Sequence, residues 1–272
     1  MLDLLNEAND VDTSKLFLLV LGASGAGKSH VFGTAPGRIL YLYLDSERHG
    51  IGAAKKSGGD VIAVCLDRDK EGKPLKPDAA FKRGLESLSP AVLKKAGITS
   101  VVVDGLIELE KLVRLTPKWE GACSTKQGGH NKYAEPAETV KILDEYMRAL
   151  RTAQDEAGVH VVMSGILDVQ EAEENGAVSL AKPRATGYSV AESMIQQFPD
   201  ILVIGKISKA DGTSGRAFQT GAEMKRTSVD DKNKIKRFIN FDCRLQGVDG
   251  ALPAYIKADL KEVIKLKGGK VE

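Results

Sequence analysis

With 272 residues, 42% of them hydrophobic and 28% charged, the chain has enough apolar mass for a full core and the composition of an ordinary globular protein. A formal net charge of +2 gives no whole-molecule argument for a polyanionic partner, and three widely spaced cysteines, Cys65, Cys123 and Cys243, exclude a disulfide framework or a zinc knuckle. No stretch approaches the ~20 apolar residues that span a bilayer, and the start of the chain lacks a signal peptide's basic and apolar runs, so a cytoplasmic protein with no membrane partner is expected.

Residues 1–15 read as an N-terminal arm, made polar and acidic by Asp3, Glu7, Asp10 and Asp12. Leu16 to Leu21 is a short apolar run of the kind that forms a fully buried strand. It leads directly into Gly22-Ala23-Ser24-Gly25-Ala26-Gly27-Lys28-Ser29, which fits the phosphate-binding pattern G-x-x-x-x-G-K-[ST] without mismatch. In that pattern the glycines let the backbone curl around a phosphate chain with its N–H groups turned inward, and the next helix starts at the same anion. Lys28 is then the group that reaches the terminal phosphates, and the Ser29 hydroxyl is a ligand for Mg²⁺. Gly22, Ser24, Gly25, Ala26 and Gly27, and further along the chain Ser164, join them as nucleotide-binding candidates. Gly33 and Pro36-Gly37 keep the following helix short.

A second buried-strand pattern, Arg38 to Asp45, ends in Asp45-Ser46-Glu47, and a third apolar run covers Val61 to Leu66. Asp67 to Pro77 is charged and proline-bearing, hence a surface loop. A helical pattern through Phe81, Leu85 and Leu88 continues to Lys95, with Pro90 breaking it in two. Ile98 to Val103 is a β-branched apolar run that ends in Asp104, the position of a carboxylate that holds Mg²⁺ beside a phosphate loop.

Thr116 to Glu135 is expected to be a long polar connection, with Trp119 and Tyr133 near its ends. An amphipathic helix follows with Val140, Leu143, Met147 and Leu150 on one stripe, stops at Gly158, and leads into a strand from Val159 to Gly165 with Ser164 at its carboxyl end. Asp168 to Thr186 is expected to be a second polar connection, because Pro183 discourages regular structure. A helix near residues 189–197 and a strand over 200–207 complete the alternation. Asp211 to Gly215 is a hairpin turn signal, Arg216 to Thr220 and Lys236 to Cys243 read as antiparallel edge strands, and residues 252–266 as a closing helix. The fold class is therefore α/β, a mostly parallel sheet sandwiched by helices with an antiparallel edge hairpin near the C-terminus. A core over 16–250 is followed by a C-terminal helix and tail over 251–272.

A phosphate loop alone does not separate kinases, GTPase switches and motor-type ATPases. There is no compact arginine cluster of the phosphotransferase lid kind, and no guanine-specific Asn/Thr-Lys-x-Asp pattern at the later strand end, where Met163-Ser164-Gly165 stands. Asp45-Ser46-Glu47 ends the strand after the phosphate-loop helix, where a carboxylate polarises an attacking water.

In this series the chain resembles the RecA-type P-loop ATPase core, particularly the short phage-encoded RecA-like proteins of single-strand annealing and recombination. The phosphate loop, Asp104 and Asp45-Ser46-Glu47 carry that resemblance. It implies ATP and Mg²⁺ as ligands, Glu47 as the base that activates water, Lys28 as a catalytic cation, and Ser29 with Asp104 at the metal. It implies that Lys232-Asn233-Lys234 corresponds to paired lysines that reach a neighbouring subunit's nucleotide, and hence a homo-oligomer, ring or filament. Thr116 to Glu135 and Asp168 to Thr186 would occupy the places of two single-stranded-DNA-contacting loops, with Lys126, Lys132, Lys182 and Arg184 as the phosphate-neutralising residues. Either Trp119 or Tyr133 would be available to stack a base. The same resemblance places the protein in the cytoplasm of a phage-infected bacterial host and admits a phage single-strand-binding protein as a further partner. The chain departs from RecA proper at Ser164, which stands where RecA has a sensor glutamine, and Phe32-Gly33-Thr34-Ala35, which has the spacing of a subunit-contact motif, is given no such role. Two other classes share these catalytic residues: an ATPase that remodels or delivers a protein without touching DNA, and a nucleotide-gated structural subunit that hydrolyses poorly.

Overall fold

The computed structural model describes residues 14–125, 127–171, 178–185, 188–208, 214–220, 243–248, 252–253 and 255–271. Six parallel strands form the body of the sheet: β1 (Phe17–Gly22), β2 (Arg38–Tyr43), β3 (Asp60–Cys65), β4 (Ile98–Asp104), β5 (His160–Glu171) and β7 (Asp200–Ser208). β8 (Ser214–Gln219) adds antiparallel to β7, and β9 (Tyr255–Lys257) antiparallel to β8. The order across the sheet is β3-β2-β4-β5-β1-β7-β8-β9, with β6 (Val178–Pro183) pairing off this path against the outer half of β5.

Every residue of β1 is buried, because the strand is paired on both edges and covered on both faces. That double coverage is why the parallel strands appear in the sequence as near-continuous apolar runs. Side chains alternate across the pleat: Leu19 and Leu21 enter one apolar cluster, Leu18 and Val20 the other. The first cluster is closed by α3 (Pro77–Ser87), α4 (Pro90–Ala96), α5 (Leu106–Arg114), α6 (Pro117–Cys123), α7 (Glu135–Ala157) and α8 (Tyr188–Gln196). Across the sheet, α1 (Lys28–Phe32), α2 (His49–Lys56) and α9 (Leu260–Leu266) close the second. At the edge, β3 leaves none of its side chains fully buried, and Ile62 stands out in water.

Three expectations from the sequence need correcting. Residues 116–135 are not one long loop, since Pro117 at the first position and the Thr116 hydroxyl, which accepts the Trp119 N–H, start α6 there. Residues 168–186 are not irregular either: β5 runs on to Glu171 and β6 returns along it, with Pro183 at the very end of the ladder, where a missing donor costs least. The segment 252–266 is split into β9 and the shorter α9, with Asp259 capping the helix through a bond from the Lys261 N–H. β9 extends the sheet, and Leu260, Val263 and Ile264 of α9 enter the same apolar cluster as Val31 and Phe32 of α1. The expected hairpin turn from 211 and the strand over 236–242 fall largely outside the described residues, within which β8 pairs with β7 and β9. Phe32 is fully buried. Among the described residues no helix is long and apolar enough to cross a membrane.

Candidate functional site

The loop joining β1 to α1 carries the phosphate pattern at the carboxyl edge of the sheet. Gly25 and Gly27 have φ values of 74° and 100°, left-handed conformations that L side chains rarely adopt. Gly22 is required for a different reason, close approach to β7: a methyl group there would sit 2.8 Å from Ile204 Cγ2. The Ala26 N–H donates to the Ala23 carbonyl at 3.2 Å, whereas the N–H groups of Gly25, Gly27, Lys28 and Ser29 make no hydrogen bond among the described residues. With α1 only five residues long, those amides and Lys28 supply more attraction for an anion than the helix dipole does. The Lys28 ammonium folds across the loop, donating to the Gly22 and Ala23 carbonyls at 2.9 and 3.0 Å. Burial lowers its pKa, against the opposing pull of Asp104 and Glu47.

Asp104, at the end of β4, is the hub of the neighbouring strand tips. Its Oδ1 accepts from Ser164 Oγ at 2.6 Å; its Oδ2 accepts from Ser29 Oγ at 3.3 Å and from the Tyr41 hydroxyl. Ser164 Oγ in turn accepts the Gly105 N–H at 2.9 Å, so this hydroxyl orients the carboxylate and the turn after it. Because Ser29 gives its proton to Asp104, its oxygen lone pairs remain available for a cation.

Of the two acids after β2, only one faces this site. Asp45 is drawn outward by Arg68 at 2.9 Å, while Glu47 lines the same cavity, of about 370 Å³, as Ser24, Lys28, Ser29, Asp104 and Ser164. Burial raises the pKa of Glu47 above the usual carboxylate range; Asp104 and Glu108 push it further, and Lys28 and Lys111 oppose them. A carboxylate held with raised proton affinity beside an ammonium is suited to taking a proton from water.

The residues present fit Mg²⁺. A methyl group on Gly50, near the start of α2, would lie 2.7 Å from both Asp104 Oδ2 and the Tyr41 oxygen and 2.8 Å from Ser29 Oγ, so the glycine keeps open a small space lined by oxygens. Ser29 directly, and Asp104 directly or through water, would hold the ion there, and the substrate's phosphate oxygens would complete its shell. Among the described residues no cluster of three or more His, Cys, Asp or Glu side chains is placed to hold a metal ion.

Sequence reasoning passed over Tyr41, Gly50 and Arg216. Tyr41 looked like a core aromatic, although its hydroxyl needed a partner once buried. Gly50 offered a signal: a glycine that weakens a helix start just after Asp45-Ser46-Glu47 calls for a local reason. Arg216, on β8, also lines the cavity, and its contact with Ala26 spans 190 positions, beyond any local pattern.

No protein-family model matches this chain, and no curated protein matches it significantly.

Lys232 and Lys234, expected at a neighbouring subunit's nucleotide, lie outside the described residues, as does Lys126, one of the residues expected at DNA. Lys132 and Tyr133 are exposed in the turn before α7, Tyr133 almost completely at 97%. Trp119 is unavailable for stacking a base: it is buried in α6, its indole N–H donates to Thr139 Oγ1 at 2.9 Å, and Arg114 lies over its ring. Lys182 sits on β6 opposite Asp168, and exposed Arg184 follows, its N–H donating to the Ile166 carbonyl at 2.8 Å. Ile166 itself lines the cavity two residues after Ser164. The β5–β6 hairpin thus springs directly from the wall of this cavity.

Proposed function

We propose that this chain is a Mg²⁺-dependent ATPase of the RecA-like kind that acts on single-stranded DNA. The observation that carries this reading is the convergence of Lys28, Ser29, Glu47 and Asp104, from the tips of β1, β2 and β4, on one cavity. The strand order supports it as well. β5 separates the phosphate-loop strand from the strand of Asp104, which leaves room between them for a γ-phosphate and an attacking water.

In this reading the loop amides and Lys28 bind the phosphate chain, with Lys28 exchanging two backbone carbonyls for phosphate oxygens. Ser29 and Asp104 hold Mg²⁺, which neutralises charge on the terminal phosphates. Glu47 accepts a proton from the attacking water, and Ser164 fixes the orientation of Asp104. The DNA assignment rests on the β5–β6 hairpin, whose root shares residues with the cavity wall and whose return strand leads to Lys182 and Arg184. Nucleotide state and DNA contact would be coupled through that strand, within an oligomer that Lys232 and Lys234 help to complete.

The test is Glu47→Gln, assayed both for ATP binding by calorimetry and for phosphate release. Binding should stay within about threefold of the unmodified chain, while turnover falls ~100-fold or more. Retained turnover would remove Glu47 as the base.

A further inference from the structure

The Arg216 side chain lies against the phosphate loop. Its Nε donates to the Ala26 carbonyl at 3.2 Å, and a methyl group on Gly27 would stand 2.0 Å from that nitrogen and 2.5 Å from Arg216 Cδ. Gly27 is needed for its left-handed φ of 100°, and a side chain there would push this arginine off the loop. Among the described residues the remaining guanidinium N–H groups have no acceptor, and the side chain is exposed on the wall of the cavity. A cation pinned to a loop by one hydrogen bond, with a planar fork left over, is built to receive an anion bidentately.

Sheet order says which part of the anion it meets. On one side of β1 lie β5 and then β4, with Asp104 at its tip; on the other lie β7 and then β8, with Arg216. The loop that prolongs β1 is thus flanked by the metal-holding acid on one side and by the arginine on the other. A polyphosphate whose terminal groups meet Ser29, Asp104 and Glu47 runs across the loop and brings its opposite end toward β8.

Resting on the nucleotide-site reading above, we infer that Arg216 clamps the α-phosphate end of a bound nucleoside polyphosphate, from the same chain that supplies the phosphate loop. It is then a binding group shared by ATP and ADP rather than a group that senses the γ-phosphate. The β7–β8 hairpin takes part in the site by carrying it there.

The experiment is calorimetric titration of the full chain and of Arg216→Ala with ADP and with ATP, the latter in the Glu47→Gln background to prevent turnover. Arg216→Ala should weaken both nucleotides about equally, by ~10- to 100-fold, and Arg216→Lys should recover part of the loss. In steady state the variant should raise KM and leave kcat nearly unchanged. Unaltered affinity for both nucleotides would overturn the inference. So would a loss confined to ATP, which would move the contact to the γ-phosphate. If the unmodified chain bound neither nucleotide, the site itself would fall and this contact with it, an outcome distinct from the other two.

Discussion

Gly50 shows how much of this site depends on what is missing from a side chain. Ser29 Oγ, Asp104 Oδ2 and the Tyr41 oxygen surround a space that a single methyl group would fill. Gly50→Ala should therefore act on the cation, because at 2.7–2.8 Å the added carbon must displace these three oxygens, a cost that offsets alanine's advantage of ~1 kcal/mol as a helix residue. The expected result is a Mg²⁺ requirement for ATP binding shifted upward ~10-fold or more, with a melting temperature no higher than that of the unmodified chain. An unchanged Mg²⁺ titration would show that the oxygens around Gly50 are not the metal's. At this scale the sequence revealed the residues defined by a local pattern, from Gly22 to Ser29 and at Asp104. It concealed those defined by a distant partner, since Tyr41 meets Asp104 across 63 positions and Arg216 meets Ala26 across 190.

At the scale of single elements, the parallel strands and α7 were legible because burial imposes a period on the sequence: continuous apolar runs in β1 and β4, and a stripe through Leu143, Met147 and Leu150 in α7. The β5–β6 hairpin was not. Its outer half is polar, and Pro183 signals a break to any reader who does not know that it sits at the strand's end. A hairpin is nevertheless a better carrier of DNA contacts than a loose loop, because it fixes Lys182 and Arg184 relative to Ser164. Replacing both residues with alanine should weaken single-stranded DNA binding and reduce the slope of log affinity against log salt by ~1.4, about 0.7 for each phosphate no longer neutralised. An unchanged slope, measured by fluorescence anisotropy between low and moderate salt, would take the DNA away from this hairpin.

Over the whole molecule, the C-terminal segment braces the first and seventh strands. Lys267, just after α9, reaches Asp200 at the start of β7 with an Nζ–Oδ2 distance of 2.6 Å, and the two side chains are only 3% and 0% exposed. Asp200 also accepts the Phe17 N–H at 3.4 Å and the Gln246 N–H at 3.0 Å, which joins the first strand, the seventh and the chain end at one carboxylate. Such a pair adds little over an apolar equivalent, but breaking it strands a buried charge. Asp200→Asn should cost ~3–5 kcal/mol, read as a lower urea midpoint at constant slope. An unchanged midpoint would mean that the brace bears no part of the stability. Sequence patterns could not show this, for Lys267 reads as one more lysine in a basic C-terminal run until the fold brings it to Asp200.

An ATP-hydrolysing site that answers to DNA at these strand tips would show itself in phosphate release from the purified full chain with Mg²⁺ and ATP, measured with and without single-stranded DNA. Hydrolysis should require Mg²⁺ and increase when single-stranded DNA is added. Turnover indifferent to DNA would contradict the DNA role and favour a protein-remodelling ATPase, and no Mg²⁺-dependent turnover in either condition would contradict the ATPase itself.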